Sequence, residues 1–153
     1  MKGPLGSIVG AMTRGATLPE LMSATLIILV LSSIVLPPLR RFLDSAAVVS
    51  AADHVAAIHD AARQGAIARR LLTRYEIDTG RVNVTIATRN RRGTWDTLRV
   101  VPLGAVRASA SQRIVTFSPL GIGFGVSNAR VVLSRGLAVE TLTVSRTGRL
   151  RRW

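Results

Sequence analysis

Cysteine is absent from the 153-residue sequence, and both lysine and the acidic residues are scarce. Without cysteine the chain has no disulfide framework, no thiol nucleophile and no cysteine-ligated metal site. A small domain without such cross-links gains its stability from packing, from a long helix, or from neighbours in an assembly.

The charge is strongly unbalanced. There are 8 Asp and Glu residues against 21 Lys and Arg, a formal net charge of +13. Lys2 is the single lysine, so nearly every cation is an arginine. This excess makes polyanions such as nucleic acid or anionic lipid plausible partners. Lys2 and Arg14 also suit a membrane topology that holds the N-terminal segment on the cytoplasmic side.

A long apolar run follows a single acid near the start of the chain. Residues 21–36 are long enough to cross a bilayer as a helix, and no charge occurs between Leu21 and Leu39. Glu20 stands alone directly before this run. Because a charge at the edge of a membrane-directed helix costs free energy, its presence indicates a function.

Gly15, Ala16 and Glu20, followed by the apolar run, resemble the processing site of type IV pilins and pseudopilins. In that family a dedicated peptidase cuts after the glycine and methylates the new amine, and the apolar segment becomes the filament core. The resemblance implies that Gly15 ends the leader, that Ala16 is the mature N-terminus, and that Glu20 pairs with the freed amine during assembly. Ala16 replaces the usual phenylalanine. Pro19 replaces a usual aliphatic residue, which the first turn of a helix tolerates.

Two other interpretations of the N-terminus are open. A secretory signal peptide would use the same basic leader and apolar run, with a cut at Ser45-Ala46-Ala47. A plain membrane anchor is allowed by length alone. The apolar run exceeds the usual length of a signal core, and neither alternative explains Gly15 and Glu20 at this spacing.

The predicted organisation has four segments. They are a leader over residues 1–15, a membrane-spanning or filament-core helix over 16–38, an amphipathic continuation of the helix over 39–73, and a β-rich domain over 74–153. Pro37 and Pro38 predict a helix kink or break, or simply the membrane exit. In the continuation, apolar and small residues recur near helical spacing. They are Phe42, Leu43, Ala46, Val49, Ala52, Ala56, Ala62, Ala66 and Ile67.

Strand-like alternation begins after Gly80. Strands are predicted over 82–86, 95–100, 114–117, 131–133, 137–144 and 149–152, with a turn at 89–93 and a loop or irregular edge over 102–112. The expected fold is α+β and pilin-like, a long N-terminal helix packed on a C-terminal antiparallel β-sheet domain arranged as a meander.

Two C-terminal motifs strengthen the resemblance. The run Ile114-Val-Thr-Phe-Ser-Pro-Leu-Gly121 and the closing Thr147-Gly148-Arg149 resemble the GspH/FimT class, which comprises minor pseudopilins of type II secretion systems and minor pilins of type IV pili. This resemblance covers residues 113–152, whereas residues 74–112 contain no family motif.

The sequence Gly148-Arg149-Leu150-Arg151 carries the main binding hypothesis. In a strand, Arg149 and Arg151 share one face about 6–7 Å apart, which suits successive phosphates. Such a tail resembles the DNA-binding end of FimT-type minor pilins, to which Arg152 would add a cation and Trp153 a stacking ring. A solvated cationic terminus or a contact with another subunit is the alternative.

A second basic loop contains Arg89, Arg91 and Arg92. It would extend the DNA-binding surface or only keep the protein soluble.

Catalytic, nucleotide and metal sites are not expected. Gly121, Gly123 and Gly125 are not followed by the Lys-Ser/Thr of a phosphate loop. His54 and His59 are five residues apart, a poor helical spacing for shared metal ligation. We therefore expect no cofactor, no metal and no enzymatic activity.

The resulting hypothesis is a minor pilin or pseudopilin in the bacterial inner membrane, with its C-terminal domain outside the cytoplasm before it enters a filament. Its expected partners are other pilins, the prepilin peptidase, the membrane and, for a pilus, DNA. A type II secretion pseudopilin contacting exported proteins is one alternative, and a membrane-anchored domain that never polymerises is another.

Overall fold

The computed structural model describes residues 17–125 and 127–153, which form one helix followed by nine strands. The predicted leader and Ala16 lie outside the described residues. In chain order the elements are α1 (Leu18–Arg69), β1 (Thr73–Asp78), β2 (Asn83–Arg89), β3 (Trp95–Pro102), β4 (Arg107–Ala110), β5 (Ile114–Phe117), β6 (Gly123–Phe124), β7 (Ala129–Arg135), β8 (Ala138–Val144) and β9 (Leu150–Arg152). This order confirms the predicted α+β class. Contacts divide the chain into two units, Met1–Pro38 and Leu39–Trp153.

The described part of the N-terminal unit is the apolar beginning of α1. Its most apolar window has a mean hydropathy of 2.1 and no buried residue. The helix is long and apolar enough to cross a membrane by length and composition. Pro37 and Pro38 lie inside α1, where they leave the carbonyls of Ser33 and Ile34 without their helical donors. Because α1 continues through both prolines, the predicted break is not observed. A kink at this place stays a prediction.

In the C-terminal unit, α1 packs one face on the sheets. The buried residues of this face are Val48, Ala51, Ala52, Val55, Ile58, His59, Ala62 and Ala66. The many alanines allow the strands to approach the helix closely. The prediction was right for Ala52, Ala62 and Ala66. It was wrong for four residues that are exposed, namely Phe42, Leu43, Ala46 and Ile67. Full burial of the helix begins only at Val48, so helical spacing alone did not identify the covered face.

The first sheet has the strand order β3-β2-β1-β5-β6. Its central strand β1 was not predicted as a strand. Tyr75 and Ile77 are fully buried there, but Arg74 and Glu76 alternate with them and hide the apolar period. The helical continuation predicted over 39–73 is also shorter than expected, because α1 ends at Arg69 and β1 begins at Thr73.

The second sheet has the order β4-β7-β8-β9. The segment 102–112, predicted as a loop or irregular edge, contains the edge strand β4, which pairs with β7 through four small or polar residues; the loop alternative is therefore wrong over Arg107–Ala110. The predicted meander is likewise corrected: β5 returns to pair with β1, and β4 leaves to pair with β7. Side chains from both sheets, among them Phe117, Leu133 and Leu142, complete the core beneath α1.

Candidate functional sites

Glu20 lies in the first turn of α1. The backbone N–H of Thr17 donates to Glu20 Oε2 at 3.4 Å, and the Leu21 N–H donates to the Thr17 carbonyl at 3.1 Å. This is the backbone half of a capping box, in which an acid three residues after the cap satisfies an otherwise unpaired donor. The Thr17-x-x-Glu20 spacing would have predicted this contact. Gly15 and Ala16 lie outside the described residues.

The C-terminal strand β9 forms one wall of a surface depression of about 460 Å³, here called the tail groove. It is lined by Thr143, Val144, Ser145, Thr147, Arg149, Arg151 and Trp153. Arg149 and Arg151 are exposed, whereas Leu150 is half-buried and packs against the core. Arg149 and Arg151 therefore share the exposed side of the tail, as predicted, and Leu150 lies on the other side.

Trp153 closes one end of the tail groove. Its backbone exchanges two hydrogen bonds with Thr141, at 2.9 and 3.2 Å, so the pairing of the two strands continues past β9. Its indole Nε1–H donates to Thr143 Oγ1 at 3.3 Å. The residue is nevertheless 72% exposed. One ring edge is anchored and much of the ring remains available for stacking.

Arg152 points away from the tail groove. It forms ion pairs with Asp53 of α1 at 2.7 Å and with Glu140 of β8 at 3.1 Å. The hydrogen bond that Arg152 donates to Glu140 and the attraction of both carboxylates raise the pKa of Arg152 above the ordinary value. The charge of Arg152, predicted to contact DNA, is thus already balanced, and the residue attaches β9 to the helix.

Gly148 allows the tail to turn over the core. Its φ of +73° is in the left-handed region, and a Cβ there would lie 3.0 Å from Phe117 Cε1. Its carbonyl accepts a hydrogen bond from His59 Nε2 at 3.1 Å. Because the carbonyl only accepts, Nε2 carries the proton and Nδ1 accepts from the Tyr75 hydroxyl at 3.4 Å. Burial lowers the pKa of His59, which favours this neutral form.

His59 was considered in the sequence only as a poor metal ligand. It is buried, whereas His54 is exposed, so they do not share a site. Across residues 17–125 and 127–153, no group of three or more His, Cys, Asp or Glu residues is placed to hold a metal ion. The packing of His59 against the tail depends on contacts between segments that are distant in the sequence, and local sequence patterns do not reveal such contacts.

The second basic loop is the turn between β2 and β3. The Arg89 N–H donates to the carbonyl of Leu72 at 2.8 Å, which places the loop beyond the C-terminal end of α1. The tail instead contacts α1 at Asp53. Sixteen residues separate Asp53 from the end of the helix at Arg69, about 24 Å along its axis. The structure therefore does not bring Arg89, Arg91 and Arg92 to the tail groove.

The fold has known counterparts among solved structures, although no protein-family model and no curated protein matches the chain. The type IV minor pilin FimU of Pseudomonas aeruginosa matches with a TM-score of 0.58 and 19% identity, covering 68% of this chain and 86% of FimU. A second crystal form of FimU gives a TM-score of 0.57 and 18% identity, covering 68% and 90% of the two chains.

The minor pseudopilin EpsH from the type 2 secretion system of Vibrio cholerae matches with a TM-score of 0.55 and 11% identity. The match covers 68% of this chain and 96% of EpsH. At these identities the likeness concerns the fold. The chain thus has the pilin-like fold of minor pilins and minor pseudopilins, as the sequence resemblance predicted.

Proposed function

We propose that the protein is a minor pilin or minor pseudopilin, which acts by assembly rather than by catalysis. Its fold is shared with FimU and EpsH, and the apolar side chains of residues 21–36 are exposed. Such a surface is stable in lipid or against other apolar helices but not in water. The exposed apolar helix on a pilin-like fold is the observation that carries this proposal.

Before assembly, the helix spans the bacterial inner membrane once, and residues 39–153 lie outside the cytoplasm. The prepilin peptidase cuts between Gly15 and Ala16 and methylates the new amine. Lys2 and Arg14 hold the leader on the cytoplasmic side, in agreement with the charge rule for membrane topology.

In the filament, the Glu20 carboxylate pairs with the freed amine of Ala16 on its own or a neighbouring chain. The contact between Glu20 and the Thr17 N–H supports this pairing. Ala16 directly precedes Thr17, and consecutive Cα atoms are about 3.8 Å apart. Because an unpaired carboxylate is costly in a helix bundle, the pairing would favour the correct axial register.

Mass spectrometry of the membrane-bound protein, produced with a prepilin peptidase, tests the processing step. We expect a chain that begins at N-methylated Ala16. A chain that keeps Met1, or one cut near Ala47, would contradict the proposal and favour an anchor or a signal peptide. Glu20→Gln tests assembly separately: we expect normal cleavage but loss of the protein from sheared filaments.

Within this class we propose a DNA-binding minor pilin. The supporting observation is that Arg149, Arg151 and Trp153 line one exposed groove whose lining includes no acid. The two guanidinium groups provide phosphate contacts, and the anchored indole ring provides a stacking surface. The groove would take up the phosphate backbone without sequence preference.

A binding titration with labelled duplex DNA tests this assignment, using the full-length protein in a nonionic detergent. Arg149→Ala with Arg151→Ala should weaken binding and make it less dependent on salt. Arg99→Ala with Arg113→Ala removes the same charge from exposed positions outside the groove and is the matched control. Equal binding of the two double variants would reject the tail site. Arg91→Ala with Arg92→Ala tests the second basic loop in the same way.

A type II secretion pseudopilin is the second candidate, favoured by the similarity to EpsH. It would contact other pseudopilins and exported proteins. Deleting the gene in its own host distinguishes the two: loss of DNA uptake supports the pilus, whereas retention of exported proteins in the cell envelope supports secretion.

A further inference from the structure

A row of three side chains crosses the outer face of the second sheet. Thr143 of β8 lies opposite Arg130 of β7 on one side and opposite Arg151 of β9 on the other. Residues directly opposite each other in antiparallel strands project from the same face. With strands about 4.8 Å apart, the backbones of Arg130 and Arg151 are separated by about 10 Å.

The tail groove continues along this row into a second depression of about 460 Å³. Arg130 and Arg146 line the second depression, and Thr143, Val144 and Ser145 border both. Together the two depressions form one trough that runs across β9, β8 and β7.

The trough carries positive charge without nearby compensation. Its lining contains no acid, and Arg130, Arg146, Arg149 and Arg151 are all exposed. None of these four forms an ion pair with any residue that the structure describes. Three acids that contact this sheet bind other arginines: Asp53 and Glu140 bind Arg152, and Asp44 binds Arg135.

We propose that Arg130 and Arg146 belong to the same nucleic-acid site as the tail groove, and that the bound strand crosses the sheet from β9 to β7. This rests on the proposed DNA-binding function. The ligand is a sugar–phosphate backbone, recognised by its spaced charges. Thr143 lies midway along the path. Its oxygen accepts from the Trp153 indole, so its own O–H is available to donate to a phosphate oxygen.

The trough predicts a larger electrostatic footprint than the tail alone. If only the two tail arginines contact phosphates, the slope of log K against log salt for duplex DNA should be about −2. If all four arginines contact phosphates, the slope should be about −3 to −4. The footprint is therefore measurable without knowledge of the DNA sequence.

Fluorescence anisotropy with a labelled duplex, at several salt concentrations, tests the proposal on the full-length protein in a nonionic detergent. Arg130→Ala should lower the affinity several-fold and reduce the salt slope by about 0.9. Arg146→Ala should do the same. Arg99→Ala, at an exposed position on β3 of the other sheet, is the single-charge control.

The outcomes separate this inference from the function on which it rests. If Arg149→Ala with Arg151→Ala weakens binding while Arg130→Ala and Arg146→Ala match the Arg99→Ala control, the extended trough is wrong and the tail site stands. If the tail double variant binds as the wild type does, the proposed tail site fails. If the wild-type protein does not bind DNA, both fail, and the trough is a solvated surface or a subunit contact.

Discussion

His59 is the residue at which the helix, the core and the tail meet. Its ring packs edge-on against Tyr75 and Phe117, with centroid distances of 5.7 and 5.1 Å. It also donates to the Gly148 carbonyl directly before the basic tail. Burial favours the neutral ring, and the weaker effects of Asp60 and Arg63 on its pKa oppose each other. Protonation would therefore place an unfavourable charge in the core.

Acid should destabilise the protein through His59. Burial depresses the pKa of His59 in the folded state below the ordinary value of 6.5. Below pH 6.5 the unfolded chain thus binds more protons, and the free energy of unfolding falls as the pH falls. The maximal slope for one proton is about 1.4 kcal/mol per pH unit, reached between the two pKa values.

Urea unfolding at several pH values between about 7.5 and 5 measures this slope. His59→Gln should flatten it, whereas His54→Gln, at an exposed position on the same helix, should leave it unchanged. An equal slope in the His59 variant and the wild type would mean that other groups cause the pH dependence.

Gly148→Ala should destabilise the fold more than the same change at Gly104. Both residues have φ values in the left-handed region, +73° and +79°, so both pay the backbone cost of about 1–2 kcal/mol. Only Gly148 is also crowded, by Phe117 and the Gly121 carbonyl, whereas nothing lies within 4 Å of a Cβ at Gly104. The excess, about 1–3 kcal/mol, is measured by denaturant unfolding. Equal losses would show that the core adapts to the added methyl group.

At the scale of elements, β9 is a three-residue edge strand that is held by its neighbour β8 and by one contact with α1. Arg152 connects it to Asp53 of α1, and the backbone of Trp153 pairs with Thr141. Short edge strands have few hydrogen bonds and open readily. The tie to the helix is therefore expected to keep the groove ordered.

Asp53→Asn should loosen β9 without unfolding the domain. The partly exposed ion pair contributes modestly to stability, so we expect faster amide exchange at Trp153 and Arg152 with little change in the melting temperature. Asp60→Asn removes an exposed acid two turns along α1 and is the control. Unchanged exchange at Trp153 would show that strand pairing alone holds the tail.

The sequence predicted elements best where one local period dominates. The long helix, the β2–β3 hairpin and the strands of the second sheet after residue 128 were found because their apolar residues recur regularly. In β1 the charged neighbours of Tyr75 obscured the period, and β4 had too few apolar residues to show one. The return of β5 to β1 depends on long-range pairing, for which the sequence contains no local signal.

The residues of the candidate site likewise fall into those that local sequence predicts and those that only the tertiary structure reveals. Alternation along one strand was enough to predict that Arg149 and Arg151 share a face. The ion pairs of Arg152, the contact of His59 with Gly148 and the position of Arg130 opposite Thr143 all join segments distant in sequence. These required the tertiary structure.

At the scale of the whole molecule, the core belongs to the C-terminal unit. In the described ranges, its first buried residue is Val48, and the apolar side chains from Leu18 to Leu43 are exposed. The N-terminal part of α1 thus contributes no packing to the core, which fits a segment that packs against lipid or other subunits.

Residues 39–153 should therefore fold without the apolar helix. We expect one cooperative thermal transition, within a few degrees of that of the full-length protein in detergent. A fragment that starts at residue 60 lacks Val48, Val55 and Ile58 of the core and should not fold. Aggregation of the longer fragment under the same conditions would contradict this independence.

The two contacts between the tail and α1 have a mechanical consequence. Asp53 and His59 are six residues apart, about 9 Å along the helix, and they hold Arg152 and Gly148 at opposite ends of the tail. Unwinding fewer than two turns of α1 would break both of these contacts together. A pulling force along the helix would then loosen the tail groove, with no change in pH and no competing partner.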